Sequence, residues 1–96
     1  MFNDIIMESI KAVCEAFSVQ AKVLYNSHTE SATALRWCAV GVLSEYFSDS
    51  QLSAVLPIGR KCINKIRNAY VRRFRRWSER QMLDEVRKII VAVIGE

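Results

Sequence analysis

The chain has 96 residues, of which 51% are hydrophobic and 25% are charged, values that fit one globular domain and exclude global disorder. Its formal net charge of +4 at pH 7 favours a polyanionic partner, either nucleic acid or an anionic surface. Only three glycines and one proline occur. Because turn residues are so few, we predict a single all-α domain over residues 1–96.

Several classes of functional site have no support in the sequence. It contains no glycine-rich phosphate loop, no paired-carboxylate arrangement and no metal-ligand spacing. The lone histidine, His28, has no nucleophile and acid arranged near it. We therefore expect no enzyme activity, no catalytic residue, no cofactor, no metal and no small-molecule substrate.

The cysteines and the apolar segments predict the cellular compartment of the protein. Cys14, Cys38 and Cys62 are odd in number and lie on or near apolar faces, which predicts buried, reduced thiols in a cytoplasmic protein. The N-terminal segment lacks the basic start of a signal peptide. The longest apolar run, residues 89–94, is too short to span a bilayer.

Hydrophobic periodicity predicts a first helix over residues 2–17 and a short second helix over residues 19–25. Ser18 is the predicted N-cap of the second helix. The positions expected to face the core are Ile5, Ile6, Ile10, Val13, Cys14 and Phe17 in the first helix, and Val19, Val23 and Leu24 in the second.

A third helix is predicted over residues 30–47, with Thr29 as its N-cap. Small residues at Ala39 and Gly41 would let another helix approach closely, which makes this the expected central helix of the core. Its apolar face comprises Leu35, Cys38, Ala39, Val42, Leu43 and Tyr46.

A polar break precedes a short helix over residues 51–56, for which Asp49 or Ser50 is the predicted cap. A tight connection at residues 57–59 then leads into a helix over residues 60–76. The inward positions of the short helix are Leu52, Val55 and Leu56.

Ser78 and Gln81 form a capping-box pattern that opens the last helix, which is predicted to run to about residue 94. Acidic and basic residues at helical spacing are expected to form pairs on its surface, namely Glu79, Asp84 and Glu85 with Arg80, Arg87 and Lys88. The apolar stripe is Leu83, Val86, Ile90 and Val93, widened by Ile89, Val91 and Ile94. A helix end that is apolar nearly all round is either deeply buried or docked on a second copy of the chain.

The helix predicted over residues 60–76 carries the charge asymmetry of the chain. Nine of the fourteen Lys/Arg residues and one of the ten Asp/Glu residues, Glu79, lie between Arg60 and Arg80, so this window sums to +8 and the rest of the chain to −4. A short helix, a turn of about three residues and a longer basic helix match the outline of a helix-turn-helix. The stripe predicted to face inward is Ile63, Ile66, Tyr70, Phe74 and Trp77.

The chain resembles the C-terminal DNA-binding domain of the bacterial chromosomal replication initiator (DnaA), which shares its helix-turn-helix with the Trp repressor. The resemblance extends from about Ile6 to Ile94. It is carried by the opening IKAVCEAFSVQAKVLYNS, by ALRWCAVGVLSEYFSDSQLSAVL, and by RKCINKIRNA at the position of the family's signature. The resemblance implies a bundle of five to six helices containing a helix-turn-helix, with double-stranded DNA as the partner.

The signature of that family, whose core reads Gly-Arg-Asp-His-Ser/Thr-Thr-Val, is degenerate in this chain. Gly59 and Arg60 agree with its opening, whereas Lys61 and Cys62 stand where Asp and His belong. The loop before the long helix, residues 26–30, lacks the family's Arg/Lys-rich character. The resemblance therefore implies the fold and DNA binding, but not the family's target sequence.

Two functions follow from these patterns. The first is a non-enzymatic DNA-binding protein whose helix over residues 60–76 enters the major groove. Its predicted groove contacts are Arg60, Lys61, Asn64, Lys65, Arg67 and Asn68, and its predicted backbone contacts are Arg72, Arg73, Arg75 and Arg76. The second is a protein-interaction module that docks the basic helix on an acidic partner or membrane surface and forms a homodimer through the C-terminal helix.

The two tryptophans have two interpretations. Trp37 and Trp77 are candidates for stacking on bases, although aromatic residues at such helix positions are more often part of a core.

Overall fold

A computed structural model describes residues 2–95, except for the side chain of Ser78, and these residues form six α-helices. The helices are α1 (Phe2–Ala16), α2 (Ala21–Asn26), α3 (Glu30–Leu43), α4 (Asp49–Val55), α5 (Arg60–Arg73) and α6 (Trp77–Gly95). No strand occurs in this range, so the predicted all-α class is confirmed.

Helix α3 lies at the centre of the bundle, where it packs against α2, α5 and α6. Its residues from Cys38 to Leu43 are all buried. A helix that is buried on every side must be apolar on every side, and this segment reads Cys-Ala-Val-Gly-Val-Leu. Helix α1 closes the bundle against α4 and α6. The predicted central role of the third helix is therefore confirmed.

Helix α3 ends earlier than the periodicity predicts. It stops at Leu43, and residues 44–46 form a turn. Tyr46 therefore leaves the apolar face and is 47% exposed. The hydroxyl of Ser44 donates to the carbonyl of Gly41 at 2.6 Å, which satisfies one of the carbonyls that a helix end leaves free.

The N-caps of α3 and α4 differ in how well the sequence predicts them. Thr29 caps α3 as predicted, because its Oγ1 accepts from a backbone N–H three residues later at 3.4 Å. Helix α4 is capped by Ser48, and not by Asp49 or Ser50. The N–H of Gln51 donates to Ser48 Oγ at 3.1 Å, and the N–H of Ser48 donates to Gln51 Oε1 at 2.8 Å. This reciprocal pair is a capping box, which requires the cap to lie three residues before Gln51.

Ser18 ends the first helix and does not cap the second. Its φ of 54° lies in the left-handed region. Its N–H donates to the carbonyl of Glu15 at 3.3 Å, and the N–H of Val19 donates to the carbonyl of Cys14 at 2.9 Å. These two bonds form a Schellman motif, which satisfies carbonyls at a helix C-terminus. Helix α2 begins correspondingly later, and Val23, predicted to face inward, is 43% exposed.

The basic helix α5 ends at Arg73, three residues before its predicted end at residue 76. Phe74 leaves the helical conformation with φ −103° and ψ 44°. Trp77 then begins α6 and is 75% exposed, so its predicted place on the buried stripe is wrong. Helical spacing does not carry across the break after Phe74, which is why the stripe stops there. The rest of the stripe is buried, namely Ile63, Ile66, Tyr70 and Phe74.

Helix α6 docks mainly on its own chain. Its buried positions are Leu83, Val86 and Ile90, while Val93 is half-buried and Val91 is 44% exposed. The helix begins at Trp77, so Ser78 lies inside it and not at the predicted cap position. The capping box predicted for Ser78 depends on a side chain that lies outside the described part of the structure.

Glu45, in the turn after α3, links α5 to α6. Its carboxylate accepts hydrogen bonds from Arg87 Nη1 at 2.7 Å, from Arg87 Nη2 at 3.0 Å and from the hydroxyl of Tyr70. Two-pronged guanidinium–carboxylate contacts are among the stronger polar contacts in proteins, and this one raises the pKa of Arg87. The predicted pairing of Arg87 along its own helix is therefore wrong, because its partner comes from another element.

Gly41 allows α5 to lie close to α3. A Cβ atom at this position would lie 2.5 Å from Cγ and 2.6 Å from Cδ2 of Tyr70, well inside the usual separation of nonbonded carbons, which is about 3.5–4.0 Å. The close approach predicted for this helix is thus present. It accounts for a glycine in a helix interior, which by itself costs about 1 kcal/mol relative to alanine.

Gly41→Ala is expected to destabilise the protein by about 1–3 kcal/mol, because the ring of Tyr70 must move to admit the methyl group. The matched control is Gly95→Ala, also helical, where an added Cβ meets nothing within 4 Å. The control should leave stability unchanged or raise it by up to about 1 kcal/mol. Urea unfolding measures both variants, and equal midpoints would contradict the packing.

Candidate nucleic-acid interface

Helices α4 and α5 form a pair joined by residues 56–59. Leu56 turns into the core, while Pro57 and Gly59 lie exposed in the connection. Gly59 is the N-cap of α5 with extended backbone angles, φ −70° and ψ 154°. Two predicted inward positions of α4, Leu52 and Leu56, belong to the same buried cluster as Ile63 and Ile66 of α5, whereas Val55 is half-buried. The short helix therefore supports the buried side of the basic helix.

The side of α5 opposite that core is exposed and cationic. Lys61, Lys65, Asn68 and Arg72 are exposed and recur at steps of three and four residues, so they share one face. Arg60 and Asn64 are exposed beside them. The helix has six basic residues and no acidic residue among its fourteen.

Arg67, predicted to face outward, is half-buried and hydrogen-bonded to the protein itself. Its Nε donates to Asp49 Oδ1 at 2.8 Å, its Nη1 to the carbonyl of Ser44 at 2.6 Å and its Nη2 to the carbonyl of Phe47 at 2.9 Å. Nη2 also lies 2.7 Å from Asp49 Oδ1. These contacts join α5 to the turn after α3 and to the start of α4. The outward orientation predicted for Arg67 is therefore wrong, because acceptors 18 to 23 residues away in the chain engage its guanidinium.

Arg73 is also engaged within the protein. Its guanidinium carbon lies 4.7 Å from the centroid of the Trp37 ring, a cation–π distance, and 5.8 Å from that of Phe74. Nη2 lies 3.4 Å from Glu30 Oε1 at the start of α3. Arg73 consequently has less of its guanidinium available to a partner than the exposed arginines have.

Two asparagines of α5 form a short chain of hydrogen bonds on the surface. Asn64 Nδ2 donates to Asp49 Oδ2 at 3.1 Å, and Asn68 Nδ2 donates to Asn64 Oδ1 at 3.2 Å. Both side chains are exposed. The side-chain oxygen of Asn68, Oδ1, accepts no hydrogen bond from the described residues. Asn68 can therefore present an acceptor to a partner without breaking its bond to Asn64.

Arg75 and Arg76 lie after the end of α5, in the connection to α6. The prediction that they continue the helix is wrong, since α5 ends at Arg73 and Phe74 has left the helical conformation. Both are exposed, and neither has an ion-pair partner in the part of the chain that the structure describes. They extend the cationic surface beyond the helix.

Three carboxylates near α5 are paired with arginines. Asp49 contacts Arg67, Glu30 contacts Arg73, and Glu45 contacts Arg87. The hydrogen bond from Asn64 and those from Arg67 hold the pKa of Asp49 below its ordinary value. Within residues 2–95, the cations of α5 that have no carboxylate partner are Arg60, Lys61, Lys65 and Arg72.

The three cysteines fall into two environments. Cys14 and Cys38 are buried as predicted, and desolvation raises the pKa of both thiols, that of Cys38 to about 12. Such thiols stay protonated and unreactive at neutral pH. Cys62 is exposed on α5, so its predicted burial is wrong. It lies one position before Ile63, off the inward stripe.

Sequence reasoning missed the residues that hold the helices in place. Arg36 Nη1 donates to the carbonyl of Leu24 at 2.8 Å and to those of Tyr25 and Ser27 at 3.3 Å, which closes the C-terminal end of α2. Arg67 closes the C-terminal end of α3 in a similar way. Periodicity identifies which side of a helix is apolar, but it carries no signal for a polar contact between distant segments.

The structure has an apolar groove on the side of α1, away from the cationic face of α5. A groove of about 730 Å³, lined mainly by apolar side chains such as Met7, Ile10 and Tyr25, lies between α1 and the ends of α2 and α4, and none of the predicted DNA contacts lines it. Among the described side chains, no His, Cys, Asp or Glu cluster could hold a metal ion. None of the helices described has the length and hydropathy that a membrane crossing requires.

Comparison of the chain with protein-family models, with curated proteins and with solved structures gives no match.

Arg67→Ala is expected to destabilise the protein by about 2–3 kcal/mol, because it leaves Asp49 and two carbonyls without their donors. Arg72→Ala is the matched control, since Arg72 is exposed on the same helix and its one bond reaches a carbonyl of its own helix. The control should change stability by no more than about 0.5 kcal/mol. Chemical denaturation monitored by circular dichroism measures both, and equal losses would contradict the inward orientation of Arg67.

Asp49→Asn is expected to cost stability at neutral pH and progressively less in acid. A carboxylate with a lowered folded-state pKa stabilises the fold above its unfolded-state pKa, about 3.9, and loses that contribution as the pH falls through the lower folded-state value. The difference in unfolding free energy between wild type and variant should therefore shrink below about pH 4.

The control for Asp49 is the same substitution made in an Asn64→Ala background, which removes one of the hydrogen bonds to the carboxylate. In the Asn64→Ala background, the loss of unfolding free energy caused by Asp49→Asn should depend less on pH. Urea titrations at a series of pH values supply the measurement. A cost that grows on acidification would show that this carboxylate is not stabilised in its charged form.

Proposed function

We propose that the protein binds double-stranded DNA, with α4 and α5 as a helix-turn-helix and α5 as the recognition helix. The observation that carries the proposal is the exposed face of α5, where Arg60, Lys61, Lys65 and Arg72 have no carboxylate partner among the described residues. A helix that is buried on one side and cationic on the other suits the major groove, which admits an α-helix.

The exposed residues take different roles in this proposal. Lys61, Lys65 and Asn68 lie on the N-terminal part of α5, which is the part of a docked recognition helix whose side chains reach base edges. Arg60 begins α5, and Arg72 with Arg75 and Arg76 lies at its other end, where the backbone of the duplex passes. Arg67 and Arg73 are left out of the contact surface, because both already contact other parts of the protein.

The resemblance to the DNA-binding domain of the replication initiator supports the same proposal at the level of the fold. The order of a long helix, a short helix, a turn and a basic helix is present in α3, α4 and α5. Lys61 and Cys62 replace the Asp and His of the signature. We therefore propose DNA binding by a replication-initiator-like arrangement of helices, with a target sequence different from that of the initiator.

A homodimer through α6 is the second proposal. It would use the apolar surface that α6 leaves outside the core, of which Val91 is 44% exposed and Ile89 half-buried. We place DNA binding first, because Leu83, Val86 and Ile90 of the apolar stripe of α6 are already buried within the chain.

The double variant Arg60→Ala/Arg72→Ala, which removes two proposed phosphate contacts of α5, is expected to weaken duplex binding and to reduce the slope of log affinity against log salt by about 2, since each phosphate neutralised contributes about 0.9. The matched control is Lys11→Ala/Lys22→Ala, which removes the same charge from exposed positions on α1 and α2. Fluorescence anisotropy with a mixed-sequence duplex across a salt series is the measurement.

Two results would overturn the proposal. One is the absence of duplex binding by the wild-type protein at about 50 mM salt, where electrostatic binding is strong. The other is an equal loss of affinity in the two double variants, which would mean that net charge matters and the face of α5 does not.

A further inference from the structure

Trp77 is an aromatic residue in an unusual environment. It is 75% exposed, more than any other large hydrophobic side chain in the described structure. Arg75 and Arg76 precede it directly, and Arg80 follows one helical turn later on the same side of α6. All three arginines are exposed.

Trp37, in contrast, has a partner for its ring within the protein. It is half-buried, and the guanidinium of Arg73 lies 4.7 Å from the centroid of its ring. Trp77 has neither an aromatic partner nor a cation over its ring in the described structure. Its indole faces are therefore available to a flat partner.

The surroundings of Trp77 decide which partner fits. An interfacial membrane helix or an apolar docking face requires several exposed hydrophobic side chains together. The exposed residues of α6 between Trp77 and Val86 are instead polar, namely Arg80, Gln81, Asp84 and Glu85. A single aromatic ring flanked by arginines matches the combination that stacks on a nucleobase while cations hold the adjoining phosphates.

An unpaired base is the occupant that fits without a large energetic cost. Stacking on a base inside an intact duplex requires unstacking first, whereas an unpaired base already presents its face. Trp77 follows the end of α5 by four residues, so its position is next to the surface proposed to hold duplex DNA.

We propose that Trp77, with Arg75, Arg76 and Arg80, binds an unpaired base and its flanking phosphates beside the duplex held by α5. The ligand class is DNA that carries a single-stranded segment next to a duplex, such as a gapped or frayed site. This inference rests on the proposed function, and it goes further by naming a second, stacking contact.

The test uses the tryptophan as its own reporter. In a Trp37→Phe background, Trp77 is the only tryptophan in the chain. Addition of a duplex that carries a gap of about four unpaired thymidines should quench its fluorescence, because the indole stacks on a base. The same duplex without the gap should quench it much less.

The affinity of Trp77 variants for the gapped duplex provides an independent test of the stacking site. Trp77→Leu should bind the gapped duplex between about 5-fold and about 150-fold more weakly than wild type, the range that one base–aromatic contact carries, and Trp77→Phe should recover part of the loss. Binding to the intact duplex should be nearly unchanged in both. Val23→Ala, at an exposed apolar position on α2, is the control and should alter neither.

The outcomes separate the two proposals. If the intact duplex binds while Trp77 shows no selective quenching and Trp77→Leu binds both duplexes as wild type does, the stacking site is wrong and the function of α5 stands. If neither duplex binds, both proposals fail. A blue shift and enhancement with vesicles of anionic phospholipid, without quenching by the gapped duplex, would assign Trp77 to a membrane surface and overturn the stacking site.

Discussion

The arrangement of the helices depends on the hydrogen bonds that the guanidinium of Arg67 donates. It reaches from α5 to the carbonyls of Ser44 and Phe47 and to the carboxylate of Asp49. Helix ends leave carbonyls without partners, and here one side chain of a third helix supplies donors to the turn between α3 and α4. Because three segments share one planar group, the contact fixes the direction in which α5 presents its remaining residues.

The basic side chains of and around α5 therefore fall into two groups, those paired within the fold and those left exposed. Three carboxylates near α5 are used in contacts with Arg67, Arg73 and Arg87, so they offset cations that serve the fold. The cations on the opposite face of α5 have no carboxylate partner among the described residues. A strongly hydrated cationic face contributes little to folding. It does concentrate a polyanion at a defined surface. The stability of the bundle and the DNA binding that we propose thus depend on different basic residues of one helix.

The sequence predicts the parts of this structure that follow from local pattern. All six helices, the Thr29 cap and the buried stripe from Ile63 to Phe74 are present as expected. The sequence does not predict Arg67, because it lies off the apolar stripe and its acceptors are distant in the chain. The exposure of Trp77 is missed for a related reason: the helix ends at Arg73, and periodicity cannot be extended across a break.

Chemical-shift mapping of the backbone amides during titration with a short mixed-sequence duplex tests the central claim most directly. The largest changes should fall on the exposed positions of α5, from Arg60 to Arg72, and continue into Arg75 and Arg76. Residues of α1 and α2 should show little change. Changes centred on α1, on α2 or on the apolar end of α6, with α5 unaffected, would contradict the assignment of α5 as the DNA-binding helix.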